Sequence, residues 1–64
     1  MSTLSDLKQA VRDGDDDLVE DLAEELSDDG IDITPALKLA ENINRAKPTR
    51  GQWGRIVRIL KEYC

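Results

Sequence analysis

The constraint that dominates this sequence is a set of short aliphatic stripes at helical spacing, cut apart by strong start and stop signals. Leu4, Leu7, Ala10 and Val11 form the first stripe, and Leu18, Val19, Leu22, Ala23 and Leu26 the second. Ala36, Leu37, Leu39, Ala40, Ile43 and Ala46 form the third, and Trp53, Ile56, Val57, Leu60 and Cys64 the fourth. Repeats of i, i+3, i+4 and i+7 bury one side of an α-helix and leave the other in water. The pattern predicts an all-α fold, a bundle of four short helices at about 4–13, 16–27, 35–46 and 50–63 joined by tight, capped turns. The whole chain reads as a single domain.

The punctuation supports these limits. Thr3 stands where a hydroxyl caps the first turn, with Asp6 three residues on near the positive end of the helix dipole. Gly14 suits the left-handed conformation that ends helices. Asp15, Asp16 and Asp17 put three carboxylates at the start of the second helix, and Ser27-Asp28-Asp29-Gly30 ends it. Ile31 and Ile33, alternating with Asp32, form a short extended link expected to drop both isoleucines onto the core. Thr34-Pro35 reads as a helix start, with Thr34 accepting amide bonds and Pro35 at the first helical position. Pro48 closes the third helix, and Thr49 with Gln52 has capping-box spacing ahead of Trp53.

Charge is distributed unevenly. The chain of 64 residues carries a formal net charge of -5, but residues 1–32 hold twelve carboxylates against two cations, a net of -10. Residues 33–64 hold seven cations against two carboxylates, a net of +5. On the second helix Glu20, Asp21, Glu24 and Glu25 lie opposite the leucines. On the fourth, Gly51, Gly54, Arg55, Arg58 and Lys61 lie opposite the Trp53 stripe, with Lys47 and Arg50 at its entrance. Pairing of the two halves, or association with a partner or a second copy, is expected of a domain this small.

Several classes of chemistry lack their parts. There is no His and one Cys, so neither a disulfide framework nor a thiolate or imidazole zinc site can be assembled within one chain. The longest apolar runs are two residues, which predicts no membrane span and no signal-peptide core after Met1; a cytoplasmic protein is the expectation. Cys64 lacks prenylation spacing and reads as incidental. No nucleophile and base pair is evident, and no Gly-rich phosphate loop, so a non-enzymatic protein without cofactors is expected. Asp13, Asp15, Asp17 and Glu24 match positions 1, 3, 5 and 12 of an EF-hand calcium loop, but Leu18 stands where that loop needs Gly and Glu20 where it needs an aliphatic residue. The acids read instead as a helix cap.

One resemblance is visible. Leu7-Lys8-Gln9-Ala10-Val11-Arg12-Asp13-Gly14-Asp15, then Leu18-Val19, Leu22, Gly30-Ile31-Asp32 and Thr34-Pro35 with Leu37-Lys38-Leu39-Ala40, resembles the residue order of an ankyrin repeat over about half the chain. The resemblance implies antiparallel helix pairs. The sequence departs from that family in lacking the longer hairpin before Thr-Pro and the several stacked repeats that bury a continuous core, and no binding residues are carried over.

Two docking surfaces follow: the acidic face Glu20, Asp21, Glu24 and Glu25, and the basic helix with Arg50, Trp53, Arg55, Arg58 and Lys61. The first suits a small regulatory or adaptor protein that binds another protein, with mimicry of nucleic-acid phosphates as a variant. The second suits direct nucleic-acid binding, against which the acidic half and a Leu26-to-Thr34 connection too long for a helix-turn-helix both count.

Overall fold

A computed structural model describes residues 2–46 and 51–64. It contains four helices: α1 (Leu4–Asp13), α2 (Asp16–Asp28), α3 (Thr34–Ala46) and α4 (Gln52–Glu62). Thr3 accepts from the Asp6 amide while the Asp6 carboxylate accepts from the Thr3 amide, so the first helix opens on a full capping box. Asp6 thereby does more than favour the helix dipole, because it satisfies an amide directly. Asp15 caps α2 by accepting from the Leu18 amide at 3.2 Å.

Helices α1 and α2 end alike. Gly14 takes φ 71°, its amide donates to Val11 O, and the Asp15 amide donates to Ala10 O. Gly30 takes φ 78°, with its amide on Ser27 O and the Ile31 amide on Leu26 O. Both are Schellman ends, in which a left-handed residue turns the chain back to satisfy orphan carbonyls. The second has a cost for the isoleucine pair. Ile31 is committed to the turn and is 40% exposed, whereas Ile33 is 1% exposed. The expectation that both isoleucines reach the core is corrected accordingly.

The start of α3 differs from its sequence reading too. Thr34 does not accept cap bonds; its amide and hydroxyl both donate to Asp32 Oδ1, at 2.9 and 2.6 Å. Ile33 O accepts from the Ala36 and Leu37 amides, so the helix begins one residue earlier than expected and Pro35 sits in its second position. Gly51 precedes α4 with φ 70°, a left-handed conformation no helix interior accepts, so α4 starts at Gln52 rather than 50. Arg50, Lys47, Pro48 and Thr49 lie outside the described residues. The capping box expected of Thr49 and Gln52 is replaced at its Gln52 end: Gly51 occupies the cap position, and the Gln52 side chain donates to Gly14 O. Tyr63 ends α4, which leaves Cys64 exposed beyond the helix rather than on its stripe.

The core is aliphatic. Leu7, Val11, Val19, Leu26, Ile33, Ile56 and Leu60 are its largest fully buried side chains, joined by Ala10, Ala23, Ala36 and Ala40. No polar or charged residue is buried among the described residues. Leu37, Leu39 and Ile43 are half-buried, and Ala46, expected on the buried arc, is exposed at the last turn of α3. Leu18 is 42% exposed. At about 100° per residue it lies a quarter-turn or more from Val19 and Ala23, on the rim of the apolar arc.

Each helix packs on two neighbours, in the order α1, α2, α4, α3 and back to α1. Directions follow from marked pairs. Asp16 at the start of α2 meets Arg55 near the start of α4, and Tyr63 at the end of α4 lies in the field of Glu20, Glu24 and Asp28 toward the end of α2. These helices run parallel. A Cβ on Gly54 would stand 3.9 Å from Asn44 Oδ1, which puts the start of α4 against the end of α3. The bundle is therefore two antiparallel helix pairs, α1 with α2 and α3 with α4, lying side by side. This is the arrangement that the resemblance to a helical repeat implies.

Candidate charged-face site on α2 and α4

Two side chains at the start of α4 lock it against the turn between α1 and α2. The Trp53 indole N–H donates to Val11 O at 3.0 Å, and Gln52 Nε2 donates to Gly14 O. The carbonyls at a helix end have no α-helical partner: Gln52 satisfies Gly14 O, and the indole is a second donor to Val11 O beside the Gly14 amide. Trp53, first on the fourth apolar stripe, is half-buried: its ring covers the core rim while its nitrogen reaches backbone, as an amphipathic aromatic does.

This anchoring sets the charged faces side by side. The acidic residues Glu20, Asp21, Glu24 and Glu25 are all exposed on α2. Arg55, Arg58 and Lys61 are exposed on α4. The Asp16 to Arg55 contact marks the flanks that meet. At about 100° per residue, Glu20 and Glu24 of α2 and Arg55 and Arg58 of α4 turn to the surface these parallel neighbours share along their seam, with half-buried Ile59 and Tyr63 on the inner side of that flank of α4. Glu25 and Lys61 fall on the flanks toward α1 and α3. The sequence dipole thus becomes a dipole across the bundle.

The strips scarcely neutralise each other. Among the described residues one ion pair joins them, Arg55 Nη1 to Asp16 Oδ2 at 3.0 Å. Its side chains are 71% and 28% exposed, so it contributes at most about 1 kcal/mol. Among the described residues, the expected pairing of the two halves is confined to this contact. Farther along, the half-buried Tyr63 phenol is pushed above its ordinary range, first by desolvation and then by the negative fields of Glu24, Glu20, Glu62 and Asp28.

The calcium-loop spacing does not become a loop. Asp13 accepts from Gln9 Nε2, Asp15 caps α2, and Asp17 and Glu24 both lie within α2. Seven residues of helix separate those two by about 10 Å along the axis. No group of three or more potential metal-binding side chains, and no pocket, occurs among the described residues. No helix there is long and apolar enough to cross a membrane.

Outside the strips, Asp32 is held below the usual carboxylate range, chiefly by the Thr34 hydroxyl and then by its amide. Thr34 is the more conspicuous capping residue in the sequence, yet Asp32 takes its amide and hydroxyl. The signal was present as an Asx two residues before a helix amide.

Fold and site together define a small all-α protein of two stacked helix pairs with an acidic and a basic strip on one face. No protein family, curated protein or solved structure matches the chain.

Proposed function

We propose that this chain is a cytoplasmic, non-enzymatic regulatory or adaptor protein that docks on a basic surface of another protein through the acidic face of α2. The observation that supports this most is the exposed row Glu20, Asp21, Glu24 and Glu25, none of which has an ion-pair partner among the described residues. Desolvating charges is costly unless the partner supplies opposite charge, so a cation-rich surface is the complementary one. Opposite potentials also steer encounter and reject like-charged partners. A row of carboxylates on one helix side further suits mimicry of a phosphate backbone, which extends the partner class to nucleic-acid-binding proteins.

Direct nucleic-acid binding through Arg55, Arg58 and Lys61 is the competing reading. It is disfavoured because the α2 carboxylates run beside those cations and would repel the same polyanion. Capture of a partner by immobilised protein, followed by titration of that partner, separates the two. Docking through α2 is lost on Glu20→Gln, Asp21→Asn, Glu24→Gln and Glu25→Gln combined, and survives Arg58→Glu with Lys61→Glu. The opposite dependence, together with retardation of DNA or RNA in a low-salt gel shift, would replace this reading with the nucleic-acid one.

A further inference from the structure

The strips on α2 and α4 are complementary to each other as well as to outside partners, and we infer that the face they share is a docking surface for a second copy of this chain. Two stripes of opposite sign along parallel helices are self-complementary under one operation, a twofold axis running along the seam. That rotation keeps the helix direction, lays α2 of each copy against α4 of the other, and uses every attraction twice. A closed isologous pair of this kind is the commonest oligomer symmetry.

Register decides which residues meet. The Asp16 to Arg55 contact sets the axial alignment of α2 with α4, and a twofold axis parallel to the helices leaves that alignment unchanged. Arg58, three residues beyond Arg55, then stands at the level of Val19 and Glu20, so Glu20 of one copy faces Arg58 of the second copy. Asp17 falls near the level of Arg55 and Ile56, within reach of Arg55 of the second copy. Ile59, half-buried in the seam, lies at the axis and meets Ile59 of the second copy. Glu62 is the exception on the basic strip, because it stands near the level of Glu24 and opposes it.

Size sets the strength. The broad face is bounded by extents of 32 and 18 Å, roughly 600 Å² in projection, which belongs with weak and transient contacts rather than obligate ones. A chain with net charge -5 also repels its copy at long range, so the attraction lives in the short-range register of the strips. A basic partner on the α2 face competes with the second copy for Glu20. Breaking self-association from the α4 side, as Arg58→Glu does, should therefore leave the proposed docking intact or strengthen it.

Sedimentation equilibrium on the intact chain tests this. Between about 10 μM and about 1 mM protein, in about 20 mM salt, the mass rises from 7.2 kDa toward about 14.4 kDa, and it falls back in about 500 mM salt. Arg58→Glu alone and Glu20→Lys alone each stay near 7.2 kDa, whereas an equimolar mixture of the two recovers the doubled mass. Glu62→Lys doubles at lower concentration than the unaltered chain. Circular dichroism confirms that each variant is folded, and the salt dependence of the unaltered chain stands even if one is not. A mass that never rises, that grows past two copies, or that is not restored in the mixture overturns the proposal. Because this experiment contains no other protein, its failure leaves docking on a basic partner untouched.

Discussion

Replacing Gly14 by Ala probes how α4 is held in place. The residue sits at φ +71°, and a Cβ there would stand 2.7 Å from Gln52 Nε2 and 3.1 Å from Trp53 Cζ2. Gly30 is the natural control, with φ +78° and nothing within 4 Å of an added Cβ. The left-handed conformation costs a β-carbon about 1–2 kcal/mol, of which roughly 0.4–1 kcal/mol is returned by restricting the unfolded chain. Gly30→Ala is therefore expected to cost about 1 kcal/mol. Gly14→Ala bears the same cost and also pushes the Gln52 amide off Gly14 O, at about 1 kcal/mol for the lost hydrogen bond. Forcing Trp53 off its rotamer adds about 0.5–1.5 kcal/mol. The total is about 3 kcal/mol, a large share of the stability of so small a domain.

Urea unfolding, followed by Trp53 emission and by far-ultraviolet circular dichroism, measures both variants at low temperature. The combination of Gly14→Ala with Gln52→Ala adds a second criterion. Removing the Gln52 side chain vacates the nearest clash, so the pair should cost less than the sum of its members, as expected of residues in contact. Equal losses for Gly14→Ala and Gly30→Ala, or strict additivity of the pair, would refute the claim that Gln52 and Trp53 fasten α4 to the α1–α2 turn.

Four further outcomes follow. Asp32 has a depressed folded-state pKa, so its contribution is fully present above the ordinary carboxylate value and is lost as pH falls through the folded value; Asp32→Asn flattens the acid limb of a stability-versus-pH curve relative to the unaltered chain. Tyr63 ionises above its ordinary range by ultraviolet titration, and Glu20→Gln with Glu24→Gln lowers it only in part, because desolvation is the larger cause. Arg55→Ala removes an exposed ion pair and costs less than about 1 kcal/mol in urea unfolding. Leu22→Ala costs about 2–5 kcal/mol, whereas Leu18→Ser, at a site 42% exposed, lies within about 1 kcal/mol of the unaltered chain.

Helices and their ends were legible wherever the signal is local. Thr3 with Asp6, Gly14 and Asp15 act within four residues of themselves, and each does in the structure what its position implies. The readings that needed correction depend on choices between neighbouring residues or on distant ones. Thr34 does not act as the cap because its own amide and hydroxyl donate to the Asp32 carboxylate two residues upstream, and the Ala36 and Leu37 amides go to Ile33 O. Gln52 has capping-box spacing, yet a bare helix end 38 residues earlier offers it a carbonyl. Ile31 loses its alternation with Ile33 because the Schellman turn claims its amide. Of the candidate site, each strip was legible on its own helix as an arc opposite the apolar stripe. Their adjacency was not, since it follows from the parallel packing of α2 and α4, and spacing within one helix carries no information about another. For Arg50, which lies outside the described residues, no position on the basic strip is assigned.

Docking as proposed requires that the open α2 carboxylates are the surface that binds. The most direct measurement is isothermal titration of a captured partner into three proteins: the unaltered chain, the variant with Glu20, Asp21, Glu24 and Glu25 neutralised, and Arg58→Glu with Lys61→Glu. Affinity lost at least tenfold in the acid-neutralised variant, and undiminished in the charge-reversed one, is the predicted result. Affinity that survives neutralisation of the acids but collapses on reversal of Arg58 and Lys61 would contradict it.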